Sequence, residues 1–118
     1  MEDFNIKKIV HQYYDGWAAR DLYKSRVLLS DDLVFRSPQD KFTNADEFIE
    51  QCGHLSEGLK RVQYKREIFS KNAAFVILEW EMKDGSCFTD AEYLIIENDK
   101  IKEIVVVNNF PEFGDMMK

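Results

Sequence analysis

Apolar positions recur at helical spacing over the first turns of the chain. Ile6, Ile9, Val10, Tyr13, Tyr14 and Trp17 fall on one stripe, which predicts an amphipathic helix with that face turned inward. Asp21 then offers a cap for a shorter second helix carrying Leu22, Leu28 and Leu29, which Ser30, Asp31 and Asp32 end. Leu33, Val34 and Phe35 are β-prone, and Pro38 removes a backbone donor where that strand must leave its sheet. A third helix is expected over residues 45–57. Asn44 with Glu47 has the form of a capping box, Ala45, Phe48, Ile49, Cys52 and Leu55 follow at helical spacing, and Gly58 is placed to stop it.

After Leu59 the period of the pattern shortens to that of strands, expected over 60–69, 73–83, 86–97 and 100–109. The separators are Ser70-Lys71-Asn72, Asp84-Gly85 and Asn98-Asp99. Asp84-Gly85 is the strongest turn signal, because glycine tolerates the positive φ of a tight hairpin. Short turns force neighbours antiparallel. Helices packed on one face of a curved, mostly meander antiparallel sheet make an α+β cone, whose wide end leaves a ligand-sized pocket. On the second long strand Ala74, Val76, Leu78, Trp80 and Met82 lie on one side, and Ala73, Phe75 and Ile77 on the other. Both sides are apolar, so a homodimer through the outer sheet face is the economical expectation; packing of that face under the C-terminal tail FPEFGDMMK is the alternative.

A length of 118 residues with 45% hydrophobic and 14% aromatic content fits one domain, 1–118, with a full core. The net charge of −6 disfavours a phosphate-tracking surface, and the basic run Lys60, Arg61, Lys65, Arg66 alternates with Val62, Tyr64 and Ile68 as a solvated strand does. No nucleic-acid partner is expected. No segment has the apolar length of a membrane span, and MEDFNIKK lacks the charge and apolar core of a signal peptide, so a cytoplasmic protein without membrane contact is the expectation. Cys52 and Cys87 form no disulfide framework or metal-ligand spacing and read as free thiols. With no phosphate-cradling glycine loop, HExxH pair or nucleophile elbow, no metal and no cofactor is expected.

The stretch YYDGWAARDLYKSRVLLSDDLVFRSP, residues 13–38, resembles the opening of the ketosteroid isomerase and polyketide cyclase (SnoaL-like) branch of the nuclear transport factor 2-like (NTF2-like) superfamily. The matching features are the aromatic-rich first helix, the "DL" start of the second, the L-x-x-D-D-x-x-x-x-x-P run, and a long meander after a third helix. The resemblance covers nearly the whole chain. It implies the NTF2-like cone, with three N-terminal helices on the curved sheet, and it implies a dimer. Tyr13 matches the tyrosine that ketosteroid isomerases place in their oxyanion hole, while Ser37 stands where those enzymes carry their catalytic aspartate.

A serine hydroxyl is no base near neutral pH without help, so steroid isomerisation of the usual kind is disfavoured. Asp40, just past Pro38, is the loop residue that could substitute. Tyr13 is either an oxyanion donor or a core aromatic, and Tyr14 reads as packing. Asp90 and Glu92, in CFTDAEYLII, share one strand face roughly 7 Å apart. Facing inward they form an acid/base pair in the pocket; facing outward they answer Arg36, Lys65 or Arg66. Trp17, Phe35, Ser37, Trp80, Met82, Asn108 and Phe110 are the expected ligand-lining residues. His11, off the apolar stripe, and His54, near a helix end, read as solvated. The function expected is binding of a small, largely apolar molecule in the cone. The alternatives are an isomerase- or cyclase-type enzyme doing acid–base proton transfer on an apolar carbonyl compound, and a protein-interaction module.

Overall fold

The computed structural model describes residues 2–107, with side chains from Asn5 onward. Three helices, α1 (Glu2–Ala18), α2 (Leu22–Arg26) and α3 (Ala45–Glu57), pack on a six-stranded curved sheet. The strands are β1 (Leu29–Arg36), β2 (Lys41–Phe42), β3 (Leu59–Phe69), β4 (Ala73–Met82), β5 (Cys87–Glu97) and β6 (Lys100–Val106). Their spatial order is β2-β1-β6-β5-β4-β3. The run β3 to β6 is the expected antiparallel meander, but β1 joins it parallel to β6, so the sheet is mixed.

The apolar stripe of α1 is buried as its spacing predicts, with Val10, Tyr13 and Tyr14 sealed against Leu78, Leu94 and Ile104 of the sheet. At the end of α1, Arg20 adopts a left-handed φ of 56°, and the amides of Arg20 and Asp21 bond back to the carbonyls of Trp17 and Gly16. This is a Schellman stop made without glycine. It also corrects the reading of Asp21, whose backbone closes α1 and whose side chain makes no cap bond to α2. Asn44 does cap α3, accepting from the Glu47 amide at 2.8 Å.

Strand β1 begins earlier than expected. Leu29 is its first residue, and Ser30, Asp31 and Asp32 lie within it instead of ending a helix. Its pairing with β6 slips between Leu29 and Val34, so buried Leu29 and Leu33 stand four apart and strict alternation is lost. The two-residue strand β2 was not anticipated; it pairs antiparallel with Phe35 and Arg36. Gly85 has φ 91°, as the Asp84-Gly85 turn requires, and Asn98 and Asp99 both sit left-handed at 52° and 62° in the two-residue connection of β5 to β6.

Two buried serines fix α1 against its neighbours. Ser25 Oγ donates to the Tyr13 carbonyl at 2.6 Å, and Ser56 Oγ donates to the Trp17 carbonyl at 3.2 Å. Gly16 makes the first contact fit, since a β-carbon there would lie 2.2 Å from Ser25 Oγ. His11, expected in solvent, instead pairs with Glu67 and stacks on Tyr64 with ring centroids 4.2 Å apart. No helix among the described residues is long and apolar enough to cross a membrane.

Candidate functional site

The inner face of the sheet decides where the acidic residues go. In the ladder between β4 and β5, Leu78 is opposite Asp90, Val76 opposite Glu92 and Trp80 opposite Phe88. Val76, Leu78 and Trp80 are the buried parity of β4, so Asp90 and Glu92 face the helices. The outward alternative is excluded for them; Lys65 pairs with Glu79 instead, at 3.8 Å.

A cavity of about 160 Å³ lies between α1, α3 and the β1, β4, β5 and β6 strands. Tyr13, Trp17, Phe35, Ser37, Phe48, Leu55, Trp80, Phe88, Asp90, Glu92 and Val106 line it. Larger hollows, of about 370 and 380 Å³, lie open on the surface beside α2. Neither has an aromatic residue in its lining, and the smaller cavity is walled by them, with two carboxyl groups converging on it.

Its walls are aromatic. Phe35 stacks on Phe48 at 4.6 Å, Phe88 on Trp80 at 6.1 Å, and Trp17 meets Trp80 edge-on at 5.3 Å. The polar feature is a carboxyl pair. Glu92 is 5% exposed and accepts a 2.6 Å hydrogen bond from the Tyr14 hydroxyl, and the Trp80 indole donates to Asp90 at 2.9 Å. The two carboxyl groups lie near enough to perturb each other. Burial, then the neighbouring Asp90 charge, pushes Glu92 well above the ordinary carboxylate range, with the Tyr14 bond opposing; burial likewise raises Asp90. Burial and then Glu92 hold the Tyr14 phenol neutral far into the alkaline range. Tyr13 is raised too, by burial, Cys52 and Glu92. The Trp17 indole N–H lies near enough to the Tyr13 phenol to offset part of that shift, yet outside bonding geometry; buried, it has no hydrogen-bond partner among the described residues.

The cavity thus brings together Tyr13, Trp17, Phe35, Ser37, Trp80, Asp90 and Glu92. It does not include Asp40, which is exposed in the turn after β1, its amide bonded to Ser37 Oγ and its carbonyl to the Ser37 amide. The turn points Asp40 to solvent, so it is no substitute base. Met82 also lies elsewhere, near the end of β4 over Gly58, because the strand runs past the cavity before its last residues. Asn108, Phe110 and the tail fall outside the described residues. Sequence reading missed Phe48, Leu55, Phe88 and Val106 as lining, and above all Tyr14 as the donor to Glu92. His54 is exposed at the end of α3.

No family model matches the chain, and no curated protein does. Solved structures do. An NTF2-like protein from Cytophaga hutchinsonii superposes with a TM-score of 0.76 at 14% identity, covering 91% of this chain and 93% of that one. The chain has the NTF2-like fold. A candidate ketosteroid isomerase from Kribbella flavida aligns at TM-score 0.80 and 14% identity, over 93% of this chain and 80% of its own. An epoxide hydrolase from M. tuberculosis aligns at 0.80 and 12%, over 96% and 87%. Other NTF2-like neighbours are named as polyketide cyclases. At such identities the likeness is one of fold, and the names of the neighbours span several reactions.

Proposed function

We propose that this NTF2-like chain takes a small, largely apolar molecule into the cone cavity and holds it against the Asp90–Glu92 carboxyl pair. The observation that carries this reading is the pair itself: a buried and a half-buried carboxyl group, with no basic side chain among the described lining residues, in the wall of an aromatic cavity. Burying such groups is costly unless they serve something, and perturbed carboxyls in a cleft mark functional sites. The volume of about 160 Å³ is below the roughly 300–1,000 Å³ of drug-sized pockets, so the occupant is small.

A second reading, acid–base proton transfer on a carbonyl compound, is supported by the proton-holding Glu92 and the Tyr13 phenol as donors. Ser37 limits it, because it puts no base where the isomerases carry their aspartate, which leaves Asp90 of the pair for that part. Nitrobenzene, a single-ring quencher of tryptophan that suits a cavity of this size, tests the primary reading. Saturable binding with quenching of Trp17 and Trp80, lost in Phe48→Arg, is the expected result; absence of saturation overturns it.

The outer sheet face supports a homodimer. Phe75, Ile77, Ile95 and Val105 form its centre, with Tyr93 41% exposed and Ile68 68% exposed beside them. Analytical ultracentrifugation is expected to show a dimer that Tyr93→Lys dissociates; a wild-type monomer at 100-fold dilution steps down from the micromolar range would refute it and leave the face to a different protein partner.

A further inference from the structure

The cavity is acidic in a way that a purely apolar occupant leaves unanswered. The groups facing the carboxyl pair are Tyr13 and Tyr14 from α1, Cys52 from α3, Trp80 from β4 and Val106 from β6. None of them is a cation, and none of the described lining residues is Lys, Arg or His. Buried carboxylates are normally paired with protein cations or metals, and no metal-holding cluster of His, Cys, Asp and Glu exists among the described residues. An anionic ligand would meet repulsion here. A cationic one would meet both carboxyls inside a wall built of Trp17, Trp80, Phe35, Phe48 and Phe88, where a desolvated ammonium gains from aromatic neighbours.

A second, independent group asks for the opposite kind of partner. Trp17 is 6% exposed and lines the cavity, and its indole N–H has no acceptor among the described residues. Buried donors of this kind are rarely left unmet, and an acceptor on a molecule in the cavity would answer this one.

We infer that the occupant is a small organic ammonium ion bearing an oxygen acceptor, its cation on the Asp90–Glu92 carboxyls within the aromatic walls and its oxygen on the Trp17 indole N–H. This rests on the pocket reading above and narrows it to a ligand class. A cation seated beside Asp90 and Glu92 favours their ionised forms, so its uptake and the release of a proton to solvent are coupled.

Three probes separate the parts of the inference: choline, its uncharged carbon isostere 3,3-dimethylbutan-1-ol, and tetramethylammonium, which keeps the charge and lacks the oxygen. Titration calorimetry at pH 7, in two buffers of different ionisation enthalpy, is expected to show choline binding at least about tenfold tighter than the isostere, with proton release. Trp17→Phe is expected to bring choline down to the level of tetramethylammonium. Glu92→Gln and Asp90→Asn, each checked for folding by thermal melt, are expected to abolish the preference for charge. If the alcohol binds as tightly as choline while nitrobenzene still saturates, the ammonium class is wrong and the pocket reading stands. If neither choline nor nitrobenzene binds, both fall.

Discussion

Replacing Glu92 by glutamine removes one titrating group and keeps its shape and its acceptor for the Tyr14 hydroxyl, so the change isolates a proton. In the folded chain burial and Asp90 raise the Glu92 carboxyl well above its ordinary range; in the unfolded chain it ionises as any glutamate does. Across the interval between those two values the native state binds the extra proton. Stability from this group is therefore full below the ordinary carboxylate range and is lost as pH rises, at about 1.4 kcal/mol per pH unit for each retained proton. Each such pH unit corresponds to several degrees in melting temperature for a domain of this size. The acids Asp32, Glu81 and Asp84 have lowered values; their contribution fades only as pH falls below the ordinary range, in the opposite direction and outside this window. The His11–Glu67 pair is common to both chains and cancels in the difference. Urea unfolding at pH 5, 6, 7 and 8, at one protein concentration, is expected to show wild-type stability declining with pH more steeply than that of Glu92→Gln, in which Asp90 is the one raised carboxyl left of the pair. Parallel slopes for the two chains would show that Glu92 holds no extra proton, and the account of the carboxyl pair would fail.

Tyr14→Phe deletes the donor to Glu92 and is expected to cost about 1–2 kcal/mol, more at alkaline than at acid pH because the ionised carboxylate loses most; an unchanged pH profile would refute the bond's role. Gly16→Ala drives a methyl into Ser25 Oγ and is expected to cost about 2–3 kcal/mol, with a double mutant carrying Ser25→Ala losing less than the sum, since only the hydroxyl part of the clash is relieved; full additivity would place the strain elsewhere. Cys87 is exposed, whereas burial and Glu92 disfavour the Cys52 thiolate, so a disulfide reagent is expected to titrate one thiol quickly and the second at the rate of unfolding. Two fast thiols would contradict the burial of α3 on the sheet.

The parts of the fold that could be read from the chain were those whose signals are local. The α1 stripe, the Asn44 cap and the Asp84-Gly85 turn each depend on residues within a few positions of one another. Strand β1 was misread at its start because its burial follows a slipped parallel pairing with a strand some seventy residues away, a constraint that leaves Ser30-Asp31-Asp32 looking like a helix stop. The Schellman stop at Arg20 was hidden because a residue other than glycine takes the left-handed position. Asp90 and Glu92 were recognised as a pair, but their direction was undecidable by parity, because the opposite parity carries Ala91, Tyr93 and Ile95, nearly as apolar as Leu94 and Ile96. Tyr14 was taken for packing since its partner is 78 residues away. That aromatic position is legible only once a buried acid is placed above it.

The parallel seam between β1 and β6 has a consequence for how the chain acquires its cavity. Phe35 is positioned by Ile104, and Glu92 is flanked by Val106, so two walls of the cavity are tied to the last described strand. On a ribosome, α1, α2 and β1 emerge long before that strand exists, and β1 must wait with one edge open while the meander is made. Contacts of this sequence separation are entropically expensive to close, so the cavity is a late product of folding. A nascent or truncated chain ending before β6 would have its helices and its acids but nowhere to hold a guest.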